Sequence, residues 1–136
     1  MKVNEIMTGD IATVTTNDSI KTAAEKMKEL DVGDIPVVLH GDTVGMITDR
    51  DVTVRAVAKG LDPEKTHVID VMTKDVIACN EQDDVGTAVD LMRRHKIRRL
   101  LVMSEGKKLS GVISLKDVAL NLDKDAVTQI LRDVST

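Results

Sequence analysis

The sequence predicts an α/β (α+β) fold made of two pseudo-symmetric repeats, each ordered strand-helix-strand-strand-helix around a small mixed sheet. A lead-in segment, VNEIMT at residues 3–8, recurs as VIDVMT at residues 68–73. A second segment, VGMITDRDV at residues 44–52, recurs with one inserted residue as LSGVISLKDV at residues 109–118. Short Val- and Ile-rich runs alternate with helical apolar stripes in the same order in both copies. An internal repeat of this kind decides the architecture.

The boundaries follow from the repeat. We expect residues 1–60 to be the first repeat, residues 61–122 the second, and residues 123–136 a C-terminal helix. A unit of roughly 60 residues is marginal alone because it buries a small share of its surface. We therefore expect the copies to pack on each other and to carry function in the clefts between them.

The first repeat opens with an extended stretch at residues 11–14. Residues 15–19 are rich in N-cap residues and predict a helix start. The apolar stripe of that helix is Ile20, Ala23, Ala24, Met27 and Leu30. Gly33 is expected to stop the helix.

A hairpin and a second helix complete the first repeat. Residues 35–39 and 44–47 are predicted strands around a turn at His40-Gly41-Asp42. Residues 48–59 are predicted to be helical, and Gly60 is a suitable end for that helix.

The second repeat follows the same order. Its predicted elements are a strand at 76–79, a helix with the stripe Val85, Ala88, Val89 and Met92, strands at 100–103 and 109–113, and a helix at 114–122. The last helix has the apolar positions Ala126, Val127, Ile130, Leu131 and Val134.

The composition excludes several classes of protein. The net charge of −4 gives no support for nucleic-acid binding, which depends on phosphate neutralisation by Lys and Arg. No apolar h-region or run near ~20 residues appears, so we expect a cytoplasmic protein with no membrane contact. Cys79, the single cysteine, is expected to be a buried hydrophobe. His40 and His67 have no Cys or second His at the spacing of metal ligands, so we expect no metal site.

The recurring chemistry is a signature, Gly-apolar-apolar-Thr/Ser-x-x-Asp. It runs from Gly45 to Asp51 and from Gly111 to Asp117. One interpretation is a capping box at a helix start, with no ligand. The other is a nucleotide site: the glycine lets a ligand approach, the hydroxyl and helix N–H groups meet phosphate, and the carboxylate accepts from ribose hydroxyls. With no aromatic residues, a base would lie between aliphatic side chains.

The paired signatures, the IMT and VMT lead-ins and the helix-to-IPVV layout closely resemble tandem cystathionine-β-synthase-type (CBS) domains over roughly residues 1–122. The resemblance is to a free-standing pair, or Bateman module. It implies regulatory binding of AMP, ADP or ATP, with no required cofactor and no catalysis. It also implies a homodimer and a separate effector protein as partners.

Carried over by position, the resemblance assigns the ribose to Asp51 and Asp117 and the phosphate or ribose to Thr48 and Ser114. The other residues implied at the sites are Arg50, Lys116, Arg98, Arg99, Leu100, Asp34, Ile35, Pro36, Ile11 and Val76. Of these, Ile11 and Val76 are expected beside the base, and the basic residues beside phosphates.

The two sites are expected to be unequal. The first repeat has acids at Asp34 and Asp49, where the second has Arg99 and Leu115. Like charge disfavours phosphate, so we expect the Asp117 site to be filled first. Arg55, four residues after Asp51 on the same helix face, has two interpretations: a ligand contact or, as the modest structural alternative, an i,i+4 ion-pair partner of Asp51. The alternatives are S-adenosylmethionine-type binding, a purely structural interaction module, and an enzyme, for which no nucleophile–base pair is evident.

Overall fold

The structure, a computed structural model, describes residues 1–135. It divides into two compact units. The first-repeat unit is Ala12–Val76, and the second-repeat unit joins Met1–Ile11 to the chain from Ile77 onward. The boundaries expected from the repeat, residues 1–60, 61–122 and 123–136, describe the sequence and stay a prediction. Within residues 1–135 no helix combines the length and apolar character needed to cross a membrane.

The first-repeat unit holds one three-stranded mixed sheet in the order β1-β2-β3. Its strands are β1 (Val14–Thr15), β2 (Asp34–Leu39) and β3 (Asp42–Thr48), with β1 parallel and β3 antiparallel to β2. Its helices are α1 (Ile20–Leu30), α2 (Asp49–Asp51), a π-helical segment (Val52–Val57) and α3 (Val68–Val71). The turn between β2 and β3 places His40 and Gly41 at φ 51° and 85°, which gives the tight hairpin that the sequence predicts.

The second-repeat unit repeats this arrangement in the order β4-β5-β6. A short 3₁₀ turn, Val3–Glu5, precedes the strands β4 (Ala78–Asn80), β5 (Arg99–Met103) and β6 (Leu109–Ser114). Its helices are α4 (Val85–His95), α5 (Leu115–Ala119) and α6 (Lys124–Ser135). Thr136, the last residue of the predicted C-terminal helix, lies outside the described residues. The predicted fold class, with one mixed sheet per repeat, is confirmed.

Each unit has its own aliphatic core. Ile20, Ile35 and Ile47 are at most 1% exposed in the first-repeat unit. Met92, Leu100 and Ile113 are equally buried in the second-repeat unit. The predicted stripes of α1 and α4 supply much of these cores, since each buried aliphatic side chain contributes about 1.5–3 kcal/mol.

Side-chain caps start helices α1 and α4, each at the residue just before the predicted apolar stripe. The hydroxyl of Ser19 accepts a hydrogen bond from the backbone N–H of Thr22 at 3.1 Å. The carboxylate of Asp84 accepts one from the N–H of Gly86 at 2.9 Å. Each cap satisfies a backbone donor that has no partner within its helix.

Several predicted boundaries were wrong by a few residues. Helix α1 ends at Leu30, its C-cap Asp31 adopts the left-handed conformation at φ 53°, and Gly33 lies in the bend just before β2. The predicted helix at 48–59 is one α turn followed by the π-helical segment, in which Ala58 N–H donates to Thr53 O. The remaining corrections are β1 at Val14–Thr15 instead of 11–14, β4 at Ala78–Asn80 instead of 76–79, and α5 at Leu115–Ala119 instead of 114–122.

The lead-in segments pack on the opposite repeats. Thr8, from the first lead-in, exchanges two backbone hydrogen bonds with Val112 on β6, at 2.9 and 3.0 Å. Thr73, from the second lead-in, exchanges two with Met46 on β3, at 2.8 and 2.9 Å. This exchange explains why the compact units do not coincide with the sequence repeats.

Candidate functional site

Each signature lies at the junction of a strand and a helix. At the end of β3, the Thr48 hydroxyl accepts from the backbone N–H of Asp51 at 3.0 Å, and the Asp51 carboxylate accepts from the N–H of Thr48 at 3.0 Å. At the end of β6, Ser114 and Asp117 make the same pair of bonds at 3.2 and 2.9 Å. The capping box is therefore present in both units.

A threonine of the lead-in segment also reaches each carboxylate. The Thr73 hydroxyl lies 3.2 Å from both carboxylate oxygens of Asp51. The Thr8 hydroxyl lies 3.3 and 3.5 Å from those of Asp117. Sequence reasoning missed both threonines, although the repeated Met-Thr of the two lead-ins was the available signal. Each aspartate is thus held by its own helix start and by the exchanged segment.

The two glycines of the signatures make room for the lead-in backbone. A Cβ on Gly45 would lie 2.6 Å from the carbonyl oxygen of Thr73, and one on Gly111 would lie 2.5 Å from that of Thr8. Real Cβ atoms do not approach oxygen so closely. The expectation that these glycines admit a ligand was wrong, because the chain itself occupies the space.

The surroundings of the two carboxylates differ at the fourth residue after each aspartate. Arg55 Nε lies 3.7 Å from Asp51 Oδ1, so the expected i,i+4 ion pair is confirmed. Arg55 Nη1 also donates to the carbonyl of Met72 at 3.1 Å. Asn121, the equivalent residue, donates to the backbone carbonyl of Asp117 at 2.7 Å and not to its carboxylate. Asp51 is buried, whereas Asp117 is half-buried.

The sheet register brings the residues before the central strand to the signatures. Asp34 pairs with Thr48 across β2 and β3, and Arg99 pairs with Ser114 across β5 and β6. The carbonyl of Arg98 accepts from Leu115 N–H at 2.8 Å, and its guanidinium donates to the Ser135 hydroxyl at 3.3 Å. The Arg98 backbone therefore lies beside the Ser114 cap, while its guanidinium contacts the end of α6.

The other predicted residues fall into two groups. Arg50 and Lys116 are exposed just after their caps. Ile35 and Leu100 have side chains inside the two cores, each 1% exposed, which leaves mainly their backbone for any ligand. Pro36 is buried, and Ile11 and Val76 are half-buried. Along the chain, Ile11 is the last residue of the N-terminal segment of the second-repeat unit, and Val76 is the last residue of the first-repeat unit.

A groove that the sequence did not predict lies beside Asp51 in the first-repeat unit. Its volume is about 370 Å³. It is lined by Arg55, Ile69, Asp70, Met72, Thr73, Lys74 and Asp75. Two cations and two acids line it together, so it has no strong preference for one sign of charge.

Cys79 is free and buried, as the sequence predicts. Burial raises the pKa of its thiol from 9.0 to about 11, because the thiolate is the form that loses hydration. Among residues 1–135, no three His, Cys, Asp or Glu side chains come together in a way that could hold a metal ion.

The raised pKa predicts an unreactive thiol in the native protein. A pKa higher by two units lowers the thiolate fraction at pH 8 by about 100-fold, so reaction with Ellman's reagent should slow by about that factor relative to the protein in urea. The rate should rise about tenfold per pH unit up to pH 11. Equal rates in native and unfolded protein would contradict the burial of the sulfur.

The structure contains two copies of one strand-helix unit. In each copy a hydroxyl-x-x-Asp capping box starts a helix, and a threonine of a lead-in segment bonds to its aspartate. This arrangement defines a tandem repeat module. The family model for the CBS domain matches residues 3–57 and 68–124. The chain belongs to the CBS domain family and contains a tandem pair of its domains.

Relatives and solved structures agree with this assignment. The chain is 37% identical to the CBS domain-containing protein YhcV of Bacillus subtilis over 98% of this chain and 94% of the relative. It shares its fold with CBS domain protein PAE2072 from Pyrobaculum aerophilum, solved with AMP, at a TM-score of 0.81 and 23% identity over 97% of this chain and 99% of that one. The CBS pair of protein MJ0100, solved with 5′-methylthioadenosine and S-adenosyl-L-methionine, has a TM-score of 0.78 and 26% identity over 88% and 94%.

Proposed function

We propose that this protein is a regulatory module that binds an adenosine nucleotide (AMP, ADP or ATP) at its hydroxyl-x-x-Asp signatures and performs no catalysis. The observation that carries the proposal is the half-buried carboxylate of Asp117. It accepts from Ser114 N–H and from the Thr8 hydroxyl. A carboxylate offers about four acceptor positions, so two remain for the two hydroxyls of a ribose.

Charge beside this carboxylate supports a phosphorylated ligand. Arg98 and Lys116 are exposed on either side of the Ser114 cap and can meet a phosphate. In the first-repeat unit the positions of Arg98 and Lys116 carry Gly33 and Arg50. That unit also has acids at Asp34 and Asp49, where the second has Arg99 and Leu115, and Asp49 is exposed beside the Thr48 cap. We therefore assign the stronger site to Ser114, Lys116, Asp117 and Arg98, and a weaker site to Thr48, Arg50 and Asp51.

The remaining predicted residues would form the walls of the sites. Ile11 and Val76 would lie beside the base, and Ile35, Pro36, Leu100, Asp34 and Arg99 would border the ribose and phosphate mainly through their backbone or charge. A homodimer and a separate effector protein complete the proposal as partners. A ligand would shift such an assembly only by its differential affinity for two arrangements.

S-adenosylmethionine-type binding is the second candidate, because MJ0100 was solved with two adenosyl ligands of that kind. AMP and those ligands share the adenosine ribose, so a carboxylate with two open acceptor positions suits both. The cations at Arg98 and Lys116 favour the phosphorylated ligand over a positively charged sulfonium.

The proposal is tested by removing the ribose hydroxyls from the ligand. AMP should bind on the order of 100-fold more tightly than 2′,3′-dideoxy-AMP, since two hydrogen bonds to a charged acceptor are lost. Because the chain has no aromatic residues, equilibrium dialysis read at 260 nm reports the nucleotide with little protein background.

Three controls distinguish the alternatives. S-adenosylmethionine binding in place of AMP would select the second candidate. Equal affinity for AMP and its dideoxy analogue would remove the carboxylates from recognition, and no binding of any adenosyl ligand would favour a purely structural module. Recovery of chemically altered nucleotide after hours of incubation would indicate an enzyme.

A further inference from the structure

The partners of the two signature carboxylates, Asp51 and Asp117, match except at one position. Both aspartates accept from the backbone N–H of the cap residue and from a lead-in threonine. Only Asp51 also has a cation against it, since Arg55 Nε lies 3.7 Å from its Oδ1. In the second-repeat unit, Asn121 is likewise four residues after its aspartate, in the turn that follows α5, and donates to the Asp117 backbone carbonyl.

Arg55 is held in place from a second direction. Its Nη1 donates to the carbonyl of Met72 at 3.1 Å and lies 3.5 Å from that of Val71, at the end of α3. Its guanidinium therefore bridges the carboxylate and the lead-in backbone. Because these carbonyls restrain it, the side chain cannot leave the carboxylate without giving up further hydrogen bonds.

The bridge reduces what Asp51 can offer a ligand. Thr48 N–H and the Thr73 hydroxyl take two of its roughly four acceptor positions, and the Arg55 guanidinium lies 3.7 Å from Oδ1 as an ion-pair partner. The Asp51 side chain is 8% exposed, although that of Arg55 is 50% exposed. A ribose with two hydroxyls to donate must therefore displace the guanidinium, whereas Asp117 requires no such displacement.

We propose that Arg55 determines the occupancy of the two sites: its guanidinium occupies the Asp51 carboxylate, so that a nucleotide fills the Asp117 site first. This inference rests on the proposed function, and it identifies the residue that makes the sites unequal. Arg55 acts through Asp51 and is a positioning residue, not a ligand contact.

Exchanging the two residues tests the inference. Arg55→Asn gives the first-repeat unit the residue of the second, and Asn121→Arg does the reverse. The Asp117→Ala background leaves only the Asp51 site. In it, Arg55→Asn should tighten AMP binding by on the order of tenfold, the factor for one hydrogen bond gained between a ribose hydroxyl and the charged carboxylate. Isothermal titration should also change from one filled site to two when Asp117 is intact.

Asn121→Arg should weaken AMP binding at the Asp117 site by a similar factor while the Asp51 site is unchanged. Adding Asp51→Ala to the Arg55→Asn variant should abolish the gain, which a general effect on stability would not predict. Circular dichroism melts of each variant report whether it folds. If Arg55→Asn does not fold, the outcome of Asn121→Arg decides.

Unchanged or weaker AMP binding in the Asp117→Ala/Arg55→Asn variant would overturn the inference, and so would an unaffected Asn121→Arg. In either case AMP binding at Asp117 in the unaltered protein would leave the proposed function standing. If the unaltered protein and all variants fail to bind AMP, the proposed function and the inference fail together.

Discussion

Replacing Asp117 with alanine is expected to weaken AMP binding at the stronger site by about 100-fold, since the acceptor of both ribose hydroxyls is lost. The same change removes one end of a capping box and the partner of the Thr8 hydroxyl. We therefore expect a loss of about 1–2 kcal/mol in the free energy of unfolding as well. Isothermal titration with AMP and urea unfolding followed by circular dichroism measure the two effects separately.

Asp51→Ala is the matched control for this prediction. Asp51 caps its helix in the same way and also accepts from a lead-in threonine, so the loss of stability should be similar. AMP affinity at the stronger site should change by no more than about twofold, because the Asp51 carboxylate belongs to the other unit. If Asp117→Ala kept its AMP affinity while Asp51→Ala lost it, the assignment of the stronger site would be reversed.

Gly111→Ala is expected to destabilise the protein by about 2–3 kcal/mol, without any direct role in ligand binding. The new Cβ would lie 2.5 Å from the carbonyl oxygen of Thr8 and 3.1 Å from the Met7 sulfur. The sulfur can move, but the carbonyl belongs to backbone that is hydrogen-bonded to β6 through Val112. The lead-in must shift, and urea unfolding at 222 nm measures the cost.

Gly106→Ala is the control in the same unit. A Cβ there meets nothing within 4 Å, and Gly106 does not have a positive φ. Its free energy of unfolding should change by less than about 0.5 kcal/mol. Equal effects of the two substitutions would show that loss of glycine flexibility, and not the exchanged lead-in, accounts for the result.

Local signals in the sequence predict much of this fold. Ser19 starts α1, and His40-Gly41 turns the hairpin, because caps and turns depend on a few neighbouring residues. The end of α1 was predicted less well. The prediction placed the stop at Gly33, whereas Asp31 caps the helix in the left-handed conformation, which a short polar side chain tolerates.

The sequence predicts only those contacts of the candidate site that join residues close together in the chain. The spacing of Ser114 and Asp117 predicts the capping box, and the structure contains it. The Thr8 hydroxyl bonds to Asp117 across 109 positions of sequence, and nothing in local spacing indicates that pair. Arg55 has one contact of each kind. Its ion pair with Asp51 follows from the i,i+4 spacing, whereas its hydrogen bond to the Met72 carbonyl is not indicated by local spacing.

The sequence by itself determined the repeat, the order of strands and helices in each copy, and the position of an acid at both helix starts. These depend on periodicity and on neighbours within a few residues. Only the tertiary structure decided that each lead-in packs on the opposite repeat, that lead-in backbone fills the space beside the two glycines, and that the Arg55 guanidinium also bonds to the Met72 carbonyl. Such pairings bring together distant segments, and their energies depend on distances that the order of residues does not specify.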